Sequence, residues 1–199
     1  MPATRTCALN HHPPCRGPLS GEHYISKSVL RHLFTGKNGY ITGVPWAQDG
    51  FKPVSYEGLT AKILCIGHNS DLTSLDTLAG RLFRLIKEAQ LELQAGSHKS
   101  STNTFNGFAL ERWLLKVAFG MWASGNLAHN GVRLEGGPPS LWGDILMGAD
   151  FPPGWGLYMP VSGGEIYLSE QEFELRPATS PEGPTGVTQL RNEVPCPSP

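Results

Sequence analysis

The side chains of this chain most able to do chemistry lie within its first seventy positions. Cys7, Cys15, Cys65 and His68 are soft donors of the kind zinc prefers. Cys65-x2-His68 sets two of them on one turn, the knuckle spacing of a tetrahedral site. The other pair is less regular: seven residues separate Cys7 from Cys15, and His11 or His12 stands near enough in sequence to replace one of them. Pro13, Pro14 and Pro18 keep residues 1–19 out of regular structure. A zinc closed between residues 7–15 and 65–68 is therefore expected to staple a segment that has no core of its own. The chain shows no charged-then-apolar leader pattern, so metal binding is a better reading of these cysteines than a disulfide framework. Cys196, flanked by Pro and Ser, reads as a free, exposed thiol.

Between the donors lies Glu22-His23, and directly after Cys65-x2-His68 comes Asn69. This order resembles the HNH endonuclease family, whose modules run Cys…Cys, then an acidic residue followed by His, then Cys-x2-(Cys/His)-(His/Asn) and a helix. Glu22-His23 matches the acidic-His pair at the end of the first strand. Leu64-Cys65-x2-His68-Asn69 matches the closing knuckle with its metal ligand, and a helix from about residue 74 falls where the family's last helix belongs. The resemblance covers residues 7 to about 94, under half the chain. The run Leu110-Glu111-Arg112-Trp113-Leu114-Leu115-Lys116 is also similar to extensions on some bacterial HNH-like proteins.

The resemblance implies an N-terminal zinc-stapled ββα-metal module; with a C-terminal helix and a small antiparallel β meander read from the pattern of the later residues, the expected class is α+β. It also implies a metal-dependent endonuclease hydrolysing phosphodiester bonds in DNA, or in RNA. His23 would be the general base, since an imidazole accepts a proton near neutral pH. Glu22 and Asn69 would supply hard oxygen ligands to Mg²⁺ or Mn²⁺, with Asp71 a further oxygen donor. Lys27 and Arg31, one helical turn apart, would hold flanking phosphates. The sequence departs from the family at Thr60, which stands where the family has the Asn that orients the catalytic His. A second reading follows from that departure: a catalytically inactive zinc-stapled module that binds nucleic acid or a protein partner. Asn69 also reads as a helix cap, and Lys27 and Arg31 as a solvated helix face.

The elements that must position these residues are short. A strand is expected from about residue 20, a helix over 26–33, a glycine-punctuated loop over 34–58 and a strand over 59–65. Leu75, Leu78, Leu82, Leu85, Ile86 and Ala89 predict a helix over 74–94, opened by a capping box from Thr73 to Asp76 and closed at Gly96. A second helix over 108–123 is apolar around most of its circumference and must be buried, with Arg112 and Lys116 as its polar stripe. Short strand-like runs at 132–135, 156–159, 165–168 and 173–176 suggest the meander, and the composition beyond Pro177 suggests disorder. The expected division is a zinc module at 1–96, an extension at 97–176 and a tail at 177–199.

Charge supports the same division. Residues 1–100 hold eleven Lys/Arg against seven Asp/Glu, and six of the seven histidines, whereas the remainder is net acidic. No apolar run is long enough to span a bilayer, so a soluble, cytoplasmic protein is expected. The sequence carries no signal for an oligomeric state.

Overall fold

A computed structural model describes residues 6–156 except 13, 35, 37, 97–101 and 130, together with the backbone of 174–180 and 183–191. The fold is α+β and divides into two compact units, Met1–Ala149 and Asp150–Pro199.

The first unit is organised on one antiparallel pair. β1 (Leu19–His23) pairs with β4 (Thr60–Cys65), setting Leu19 opposite Cys65 and His23 opposite Thr60. The register shifts between Ser20 and Glu22: Lys62 and Ile63 of β4 together stand opposite Gly21 alone, a bulge on β4. β4 runs straight into α2 (Ile66–Asp71), and Leu72 links that to the long α3 (Thr73–Gln94). Strand, strand and helix therefore follow one another around the residues of interest, with α1 (Lys27–Leu33) leaving the end of β1 and packing on α3.

The stretch expected to be loop holds a hairpin, β2 (Asn38–Ile41) with β3 (Lys52–Ser55), followed by a short 3-10 turn at Glu57–Leu59. The Gly and Pro residues that argued for loop lie mostly in the connection between its strands. Gly39 alone sits inside β2, where an added Cβ would strike the Phe34 ring at 2.3 Å. Phe34 in turn stacks on Tyr56 with 5.5 Å between ring centroids. Tyr24, Leu30, Val54, Tyr56 and Leu59 form the core cluster beneath this hairpin.

A second cluster, Val29, Ala79, Trp113 and Val117, joins α1 and α3 to α4 (Gly107–Ala123). α4 is capped by the Asn106 side chain, which accepts from Ala109 N at 3.1 Å. Its buried Trp113, Leu115, Val117 and Phe119 agree with the apolar helix read from the sequence. Gly120 brings it close to the residue after β1: a Cβ there would lie 2.7 Å from the Tyr24 Cβ and 3.2 Å from its Cα. The polar linker expected near 97–104 falls between α3 and α4, and both helices belong to the first unit. β5 (Ala128–His129) and β6 (Val132–Arg133) form a small ribbon, and α5 (Ser140–Leu146) packs on α4.

In the second unit β7 (Glu174–Ser180) pairs with β8 (Gly183–Arg191), so part of the stretch expected to lack structure is a hairpin. The Thr and Val residues of β8 favour extended backbone, a local preference that the overall Pro and Gly content concealed. The expected strand at 165–168, most of that at 156–159, and Cys196 lie outside the described residues. No helix among the described residues is long and apolar enough to cross a membrane.

Candidate functional site

The ends of β4 and of the N-terminal segment converge on one cluster. Cys7, Cys15, Cys65 and His68 place their donor atoms within 4.8 Å of one another. His68 Nδ1 lies 3.3 Å from Cys7 Sγ, 3.4 Å from Cys65 Sγ and 3.9 Å from Cys15 Sγ. Zn–S bonds of about 2.3 Å and Zn–N bonds of about 2.0–2.1 Å, held tetrahedrally, separate sulfur from nitrogen by roughly 3.6 Å. The four donors thus have the spacing, and the chemistry, of a Cys3His structural site. Cys15, and neither His11 nor His12, completes the set. His12 turns instead to Asp144 of α5, with Nε2 3.4 Å from Oδ1.

Local structure explains why the cluster closes. Cys65 is the N-cap of α2, and its Sγ accepts from His68 N at 3.5 Å, while Cys7 Sγ accepts from Cys65 N at 3.3 Å. Backbone bonds lash the N-terminal segment over this turn: Ala8 N to Ile63 O, Ile66 N to Pro18 O and Gly67 N to Arg16 O, at 2.8–3.0 Å. Gly67 permits that approach, since a Cβ there would meet the Arg16 Cβ at 2.7 Å. Desolvation, and then Cys7 and Cys65, push the Cys15 thiol up to about 11. Cys65 is held below its ordinary value: desolvation opposes this, and the His68 and Arg16 N–H groups and the neighbouring sulfurs overcome it. Three sulfurs crowded in this way are the environment that a divalent soft cation relieves.

Two of the hydrolytic residues expected from the sequence, Glu22 and Asn69, are engaged by other side chains. Glu22 is 4 % exposed and its carboxylate is in direct ion contact with Lys116 of α4, which is 3 % exposed. The same ammonium donates to both carboxylate oxygens of Asp76, at 2.8 and 2.9 Å. Ser26 Oγ donates to Asp76 and accepts from Trp113 Nε1 at 2.7 Å, so a strand and three helices share one buried polar network. Burial pushes the Glu22 carboxyl above its ordinary range, with Lys116 acting against that shift. Asp76, expected in a capping box, is committed to this network, and α3 starts with no side-chain cap. Lys116, expected on a polar stripe, is interior. Arg112, expected on the same stripe, donates to the carbonyls of Ile145, Gly148 and Ala149 at the end of α5.

His23 is half-buried, and its Nε2 is enclosed without a hydrogen-bond partner. Desolvation, and then the charge of Lys27, hold it below its ordinary value. Thr60 lies opposite but gives its hydroxyl to Glu57 O at 2.6 Å. Asn69 donates to Ser20 Oγ at 3.0 Å. Asp71 is held on the surface by Arg16, at 2.6 and 2.7 Å. Lys27 lies 3.7 Å from Glu57, and Arg31 is exposed near the end of α1. Sequence reasoning missed the Glu22–Lys116–Asp76 cluster. Its signal was present in Lys116 itself, a cation set among Leu114, Leu115 and Val117. No protein-family model, curated protein or solved structure matches the chain.

Proposed function

We propose that the first unit is a zinc-stapled HNH-like module that binds nucleic acid without hydrolysing it. The observation that carries this reading is the buried ion contact between Glu22 and Lys116. In the family that the sequence resembles, the residue at Glu22 offers an open carboxylate to a divalent ion. Here an ammonium already fills that role, and a cation cannot enter beside it without expelling Lys116 from the interior. The orienting partner of the general base is also missing, because Thr60 gives its hydroxyl elsewhere. Zinc would be held by Cys7, Cys15, Cys65 and His68, and its part is to tie the N-terminal segment to the β4–α2 turn. Nucleic acid is favoured as partner by the excess of Lys and Arg in residues 1–100, because phosphate contacts dominate such affinity.

The nuclease reading has one observation in its favour: Glu22-His23 ends β1 beside β4, and Asn69 follows His68 on α2, the order of an active module. Mg²⁺ or Mn²⁺ would then be its catalytic ion. The test of the binding reading is a gel mobility shift with the zinc-loaded full chain and a labelled oligonucleotide. A retarded complex that weakens as salt rises supports it, and free oligonucleotide at all protein concentrations overturns it.

A further inference from the structure

On the first unit, β4, the C-terminal end of α4 and Thr6 and Ala8, which flank the zinc donor Cys7, border a cleft of about 530 Å³. Such a volume suits a small organic ligand. Lys62 and Arg133 supply cations, Trp122 a flat apolar wall and Glu135 an acceptor, with glycines at 125, 136 and 137 along the rim. Among the described residues, neither Lys62 nor Arg133 has a carboxylate within ion-pair distance, so both charges are available to an incoming anion.

The placement of Arg133 is built into the backbone. Gly125 has φ +75°, and a Cβ there would lie 1.6 Å from Arg133 Nη2. The guanidinium therefore lies against a bare stretch of chain that no other residue type could provide. Trp122 is fixed in the same way: its Nε1 donates to Glu135 O at 3.3 Å, and its ring meets Trp142 edge-on with centroids 5.4 Å apart. A planar guanidinium suits bidentate contact with phosphate, and an indole wall suits a base.

We infer that this cleft is a nucleotide-binding site, taking a phosphate at Lys62 and Arg133 and a base along Trp122. This deepens the nucleic-acid reading above and rests on it for the source of the nucleotide, which is either a free mononucleotide or one unit of a strand. The shared chemistry is a phosphate beside a flat ring.

The experiment is calorimetric titration of the full zinc-loaded chain with inorganic phosphate, AMP and a single-stranded oligonucleotide, each repeated with Lys62→Ala/Arg133→Ala. Both changes are at exposed positions, and the fold of the variant is checked by circular dichroism. AMP or the oligonucleotide should bind more tightly than inorganic phosphate and lose at least about tenfold in the double variant. For the oligonucleotide, the slope of log K against log salt should flatten by about 1.4, two contacts' worth on a single strand. Binding of AMP alone identifies a free nucleotide as the ligand and leaves the cleft assignment standing while the nucleic-acid reading falls. Oligonucleotide binding that the double variant retains in full overturns the cleft and leaves that reading intact. Equal binding of phosphate and AMP, or none by any probe, also overturns the cleft.

Discussion

Lys116 and Glu22 stand in direct contact where Gly120, one turn further along α4, lets that helix lie against Tyr24, the residue after β1. The cation is thus delivered by packing, and Asp76 on α3 completes its coordination. One ammonium serving two carboxylates leaves little tolerance for change. Lys116→Met should cost about 3–5 kcal/mol, the usual result of stripping the partner from a buried charge. Adding Glu22→Leu and Asp76→Asn should recover much of it. Urea unfolding of the single and triple variants checks this, and a single variant as stable as wild type would contradict it.

The Cys3His cluster should hold one zinc per chain. Elemental analysis of freshly purified protein measures it directly. Cys65→Ser should lose the metal, and chelation should loosen residues 6–19 first, since that segment depends on the staple and on a few backbone bonds. Protein free of zinc that keeps the same stability after chelation would show that the cysteines are only packed thiols.

Much of this was legible in the sequence because it is local. Cys65-x2-His68 and the periodic leucines of α3 are signals within one turn or one helix, and they land where expected. The choice of Cys15 over His11 or His12 was not legible. It depends on where Asp144 draws His12, a contact 132 positions away in sequence. The β2–β3 hairpin was hidden by its own turn residues. The partner of Glu22 was the least legible. That glutamate's neighbours in sequence point to hydrolysis, whereas its neighbour in space is a lysine 94 positions on, delivered by a helix whose apolar pattern indicated only burial.

His23 gives the protein a pH dependence of definite sign. Its folded value lies below the ordinary 6.5, chiefly through desolvation, so between the two values the unfolded chain binds more protons. Its contribution is fully present above about pH 6.5 and is lost as the pH falls from there through the folded value. His32 is shifted in the same direction, by burial and by Lys87, so the His23 share is read as a difference. Stability against pH should fall less steeply below 6.5 in His23→Gln than in wild type. Identical curves would contradict the burial of His23.

If Lys116 stands where a catalytic ion would sit, as proposed above, plasmid nicking tests it. Zinc-loaded wild type and His23→Ala are incubated with supercoiled DNA in Mg²⁺ and in Mn²⁺ at neutral pH. With Glu22 bound to Lys116, the supercoiled form should persist equally in both samples. Metal-dependent nicking by wild type that falls by about 10²–10⁴-fold in His23→Ala, the usual contribution of a positioned base, would contradict the claim and establish the nuclease.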